Sequence, residues 1–226
     1  MLHRPLVLCA LASLAVLGAC GDDTDNAIIT IPGNTTTVRF INATGNPITV
    51  TQNGTVVTGN SAIAFGNGSS CLAVDPANPN LVFTNTTTGA TITGFTPHLT
   101  AGGNVTVVAF TDANGNTQFA TLDNTFAPVN GQAGLRVFNA ANGSGNVVVL
   151  SNGVVLNNGA TTTFSNGGTF FSIPAGTQAL TFNTGTGTTT IGSLGANLVA
   201  GSNNTIVLAP AAPGTTALRV FLSTGC

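Results

Sequence analysis

From Val38 onward the chain repeats itself. Val38-Arg39-Phe40-Ile41-Asn42-Ala43 is answered by Leu135-Arg136-Val137-Phe138-Asn139-Ala140 at an offset of 97, and two extra residues in the following loop raise the offset to 99. At that offset Ile48-Thr49-Val50-Thr51-Gln52 before Asn53-Gly54 matches Val147-Val148-Val149-Leu150-Ser151 before Asn152-Gly153. Phe65 falls on Phe164, Leu72-Ala73-Val74 on Phe171-Ser172-Ile173, Leu81 and Phe83 on Leu180 and Phe182, Ile92 on Ile191, and Leu99-Thr100-Ala101-Gly102 on Leu198-Val199-Ala200-Gly201. The offset is expected to stay at 99 to the end of the chain. A gapless match of this length means two tandem copies of one domain, 37–123 and 135–226, joined by a linker at 124–134 that contains Pro128 and two glycines.

The repeated unit is built for strands. Thr, Val, Ile and Phe suit a pleated surface, while Asn-Gly between two such runs supplies the positive backbone angles of a hairpin turn. About seven short strands per copy, with turn signals between them, is the pattern of an immunoglobulin-like sandwich. The expected fold class is therefore all-β, with two tandem immunoglobulin-like sandwiches. The register places Leu72 and Val74 with Phe171 and Ile173 in the two cores, and turns Cys71 and Phe170 to the opposite face.

Charge narrows the function classes. Beyond residue 20 the chain carries three arginines, Arg39, Arg136 and Arg219, against six aspartates, a formal charge of −3 with no lysine or glutamate. Nucleic-acid binding needs several phosphates neutralised, and three scattered arginines exclude it. After the first twenty residues no apolar run approaches the length of a membrane span, because Gly, Asn and Thr interrupt each one.

The first residues have a different layout. Arg4 precedes an apolar run from Leu6 to Leu17, and Gly18 and Ala19 supply small residues before Cys20. That is the arrangement of a secretory signal at 1–19. Leu17-Gly18-Ala19-Cys20 resembles the lipobox of bacterial lipoproteins. The resemblance implies cleavage before Cys20, a diacylglyceryl group on its thiol, and a lipidated tether over 20–36. The expected location is the bacterial cell envelope, anchored to a membrane and facing the periplasm or the exterior.

Residues that carry chemistry are few. His98 is matched by Asn197 and reads as a polar residue beside a turn, and no Gly-x-Ser-x-Gly elbow is present, so no catalytic residue is assigned. Asp112-Ala113-Asn114-Gly115-Asn116 looks like the opening of a calcium loop, but the usual closing glutamate is missing, and the second copy has Ala211-Ala212-Pro213-Gly214-Thr215 there. Its shared task is to turn a hairpin, and no metal or cofactor is expected. Asn42-Ala43-Thr44 and similar triplets follow from composition rather than glycosylation. Arg39 and Arg136, alternating with apolar neighbours, read as outward-facing surface charges. Phe65, Phe83, Phe164 and Phe182 recur as core residues do, and with no Trp or Tyr a sugar-stacking face is weakly supplied.

Cys71 and Cys226 are the two cysteines left once Cys9 has gone with the signal and Cys20 is capped. An even count in an oxidising compartment favours pairing, which would tie the end of the second copy back to the first. Two free thiols, or a link to another molecule, is the alternative.

A basic strand opening followed by Asn-Ala, a hairpin ending in Asn-Gly, Ile-Pro-Ala-Gly-Thr at 173–177 and Leu-Val-Ala-Gly before a Val/Ile-rich strand together resemble the extracytoplasmic bacterial family DUF4397. The resemblance covers roughly Val38 to Leu222, departs at Asp75-Pro76-Ala77-Asn78, and implies tandem β-sandwiches behind a signal peptide with no activity attached. The leading expectation is a non-enzymatic surface module that binds a protein or polymer of the envelope, or has a structural role there. Glycan or small-ligand binding in a cleft between the copies is the alternative, and a hydrolase with an unrecognised site is the third.

Overall fold

The computed structural model describes residues 34–57, 62–185, 189–211 and 218–226, so Cys20 and the segment read as signal and tether lie outside the described residues. Copy one supplies β1 (Thr36–Asn42), β2 (Ile48–Gln52), β3 (Thr55–Val56), β4 (Leu72–Val74), β5 (Leu81–Asn85), β6 (Thr91–Ile92), β7 (Asn104–Thr111) and β8 (Thr117–Asp123). Copy two supplies β9 (Gln132–Asn139), β10 (Val147–Ser151), β11 (Val154–Val155), β12 (Phe171–Pro174), β13 (Gly176–Thr184), β14 (Thr190–Leu198), β15 (Asn203–Pro210) and β16 (Leu218–Thr224). Among the described residues the one helical element is a 3-10 turn at Asn157–Gly159.

Each copy is two four-stranded sheets. One has the order β4-β1-β7-β8 in copy one and β12-β9-β15-β16 in copy two; the other has β3-β2-β5-β6 and β11-β10-β13-β14. Pairing is antiparallel except that β1 lies parallel to β7, and β9 to β15. Between the sheets of copy one, Val38, Phe40, Val50, Val74, Phe83, Val105 and Val107 form the core; Leu135, Val137, Val149, Ile173, Phe182, Ile206 and Leu208 do the same in copy two. The Asn-Gly hairpins join β2 to β3 and β10 to β11, with Asn53 and Asn152 both at φ 49 and Gly54 and Gly153 at φ 79 and 80. Positive angles at both central positions are what a primed two-residue turn requires.

The register behaves as read for most of its length. Val38 pairs with Leu72 as Leu135 pairs with Phe171, and Val50 with Phe83 as Val149 with Phe182. Val74 and Ile173 are buried in their cores. Two departures occur. A bulge after Phe182 sets that residue opposite Gly192 rather than Ile191, although Ile92 and Ile191 still pack on their cores. The offset also does not stay at 99: Val105 pairs with Asp123 while Asn204 pairs with Thr224, so β16 lies 101 residues after β8. The two added residues fall between β15 and β16, and both strands keep their pairing.

A third apolar cluster belongs to both copies. Ile41, Ala43, Val108, Phe110 and Leu122 meet Phe138, Ala140, Val207 and Ala209, with Phe65, Phe164 and Phe221 packed against them. Successive strand residues point to opposite faces, so Val38 and Phe40 enter the copy-one core while Ile41 and its neighbours line the other face of the same sheet. The β1 and β9 sheets therefore pack on each other through those faces, and the four sheets stack as four layers. Ile41, Val108, Phe138 and Val207 are at most 1% exposed, and burial of such side chains contributes about 2 kcal/mol each relative to solvent.

Candidate functional site: the seam between the copies

Arg39 and Arg136 sit at matching positions of β1 and β9, on the faces that meet. The expectation that they face solvent is overturned for Arg136, which is 3% exposed, and Arg39 is half-buried. Alternation does turn both away from their own cores. The surface they turn toward is covered by the other copy.

The contacts across the seam are reciprocal. Arg136 Nη1 donates to the Asp123 carbonyl at 2.5 Å, and Arg39 Nη1 donates to the Thr224 carbonyl. Asp123 ends β8 and Thr224 ends β16, and the strand registers make them equivalent. Each arginine thus holds the last residue of the other copy's final strand, as in a two-fold interface between identical subunits.

The two ends of the seam are finished differently. Arg136 has a partner for each nitrogen, adding Nε to Thr205 Oγ1 at 3.0 Å and Nη2 to Asn124 Oδ1 at 2.6 Å, and its guanidinium lies 4.4 Å from the centre of the Phe170 ring. Burial pushes its pKa down to about 10, with the Asp123 charge opposing that shift, so it stays charged at neutral pH. Phe170 stacks on Phe126 with centroids 5.2 Å apart and planes at 14°. At the other end Cys71 occupies the place of Phe170, and it is bonded to Cys226 with the alpha carbons 5.8 Å apart. Arg39 Nη2 lies 3.4 Å from Cys71 Sγ, while its Nε is buried without a partner. Cys71 and Phe170 do turn away from the cores as the register implied, and the pairing of Cys71 with Cys226 is borne out.

Phe residues fill the middle. Phe83 and Phe182 are core residues as expected, but Phe65 and Phe164 pack on the seam: Phe110 meets Phe138 and Phe164 edge-on at 5.4 and 5.8 Å, and Phe65 lies against Phe221 and beneath Arg219. Repetition at equivalent positions cannot distinguish a core from an interface between copies, since both repeat. The face where a ligand cleft was expected is filled by these side chains.

Residues that the sequence reading passed over include Asn124 and Phe126, assigned to the linker. Asn124 is 4% exposed and accepts from Arg136, and Phe126 covers Phe170. A lone aromatic in a Pro/Gly linker was the available signal. Asn42 and Asn139 are also buried: each donates from Nδ2 to a carbonyl of the following loop, Asn46 or Gly145, and to one further along the chain, Ile63 or Thr162, and accepts a backbone N–H two residues on, fixing the corner after β1 and β9.

His98 is exposed and lines an open groove of about 490 Å³ with Thr100, Gly102, Thr121, Asp123 and Thr125. The groove lining contains no serine, and the Asp123 carboxylate accepts from the Thr125 N–H and hydroxyl at 2.8 and 2.7 Å. The Asp112 carboxylate accepts from the Asn114 and Asn116 N–H groups and from the Gln118 amide, which lowers its pKa and shapes the β7–β8 turn. That is the hairpin role read for it. Among the described residues no group of three or more His, Cys, Asp or Glu is placed to hold a metal ion.

Residues 36–150 match a family described as a domain of unknown function, DUF4397. No curated protein matches the chain.

Proposed function

We propose, given that this chain belongs to the DUF4397 family, that it is a lipid-anchored protein of the cell envelope in which two fused sandwiches act as one stiff binding or structural module, without enzymatic activity. The observation that carries this reading is the Cys71–Cys226 bond, which links the first copy to the end of the second. Disulfides persist in oxidising compartments, in agreement with a secretory signal at 1–19. Cys20 in its lipobox-like setting would supply the anchor, and the shared apolar seam would keep the two sandwiches from moving independently. A partner would then be a protein or polymer of the envelope, met by uncharged outer faces and loops rather than by a cleft between the copies. A glycan or small polar ligand has an alternative place in the hydroxyl-rich groove beside His98 and Asp123.

Metabolic labelling with a fatty-acid probe tests the anchor. Wild type is expected to take label and partition with membranes, and Cys20→Ser to do neither; equal labelling of the serine variant would refute the assignment. Pull-down and glycan-array binding with the soluble form beginning after Cys20 then separate a macromolecular partner from a groove ligand. Turnover in a broad hydrolase panel that is lost in His98→Ala would overturn the non-enzymatic reading.

A further inference from the structure

We infer that the Cys71–Cys226 bond is a thiol–disulfide exchange site, attacked by an external dithiol at Cys226 Sγ, with Cys71 leaving as a thiolate held by Arg39. Both cysteines are exposed, so a partner thiol reaches the bond without unfolding the protein. The two sulfurs are not equivalent. Arg39 Nη2 stands 3.4 Å from Cys71 Sγ, and the same guanidinium is held in place by its bond to the Thr224 carbonyl. A fixed cation stabilises a thiolate, and a thiol of lower pKa is the better leaving group in exchange.

The two-fold plan of the seam sharpens the point. At the Phe170 end the equivalent arginine is buried, partnered at each nitrogen, and laid on a ring stack that no redox chemistry opens. At the Cys71 end Arg39 is half-buried, lacks the Nε partner, and bears on sulfur. One end of the seam is thus closed permanently and the other by a reducible bond.

In the exchange, the partner's thiolate forms a new S–S bond to Cys226 Sγ as the Cys71–Cys226 bond breaks and its electron pair goes to Cys71 Sγ beside Arg39. The partner's second thiolate then attacks its own sulfur of the mixed disulfide and releases Cys226, which takes a proton from water. Two electrons pass from the dithiol, which is oxidised to a disulfide, to the protein. The apolar seam remains, so the reduced chain stays folded.

The test uses the purified oxidised protein with reduced glutathione, followed by acid trapping and peptide mass spectrometry, and dithiothreitol for the reduction rate. Trapped glutathione is expected on Cys226 in about threefold to tenfold excess over Cys71. Arg39→Gln is expected to level that ratio and to slow reduction by a similar factor, while Arg39→Lys restores both in part. Unchanged far-ultraviolet dichroism and a cooperative melt establish that each variant is folded, and Gln118→Ala, a surface change away from the bond, serves as a control for nonspecific effects. An equal split of glutathione in wild type, or a ratio and rate indifferent to Arg39→Gln, overturns the proposal.

Discussion

Replacing Arg136 by leucine should cost far more than the same change at Arg39, although the two residues occupy the same place in the repeat. Arg136→Leu removes three hydrogen bonds from a charged donor, each worth about 2 kcal/mol, or about 6 kcal/mol together. Asp123 O and Thr205 Oγ1 lose the arginine inside the seam, while Asn124 Oδ1 keeps the Thr106 hydroxyl at 3.2 Å. Against that loss, leucine relieves the burial that pushes the guanidinium down to about 10, which is worth about 3 kcal/mol. The expected net destabilisation is about 3 kcal/mol. Arg39→Leu gives up one carbonyl bond and a weak contact to sulfur at a half-buried site, and also relieves an unpartnered buried Nε, for a net cost of about 1 kcal/mol. Equilibrium unfolding in guanidinium with intact disulfide measures both. Costs within about 0.5 kcal/mol of each other would refute the asymmetric seam and restore the reading of two equivalent surface charges.

Cys71→Ser with Cys226→Ser removes a link across a sequence separation of 155, which chain entropy values at up to about 5 kcal/mol; the melting temperature should fall while small-angle scattering keeps a compact particle, and an elongated particle would mean that the bond rather than the apolar faces holds the copies together. The lowered pKa of Asp112 sets a pH dependence: its folded value lies below the unfolded one, so its stabilisation is present above the ordinary carboxylate range and is lost as pH falls through the folded value. The protection factors of the Asn114 and Asn116 amides, taken against the intrinsic exchange rate at each pH, should therefore fall on acidification in wild type and already be low in Asp112→Ala, and protection indifferent to both changes would dismiss the turn assignment.

Much of the architecture was legible because it is written twice. The repeat, the Asn-Gly turns and the period of two in Val38-Arg39-Phe40 lead to two sandwiches, their core residues and the opposite direction of Cys71, since these rest on local backbone geometry and one-dimensional alternation. The cysteine count leads to the bond. Alternation alone, however, says which residues leave a core, and not what they meet afterwards. Val107 to Phe110 and Ile206 to Ala209 are apolar on both faces, the pattern of a strand buried on both sides, and these were sequence signals that the outer face is covered. That Arg136 is buried while Arg39 is only half-buried, that Phe126 in the linker stacks on Phe170, and that Phe65 and Phe164 line a seam rather than a core were decided by how the two copies dock. Docking brings together residues far apart in the chain, each of which would be unremarkable in a single domain, and only their mutual packing in three dimensions makes them one site.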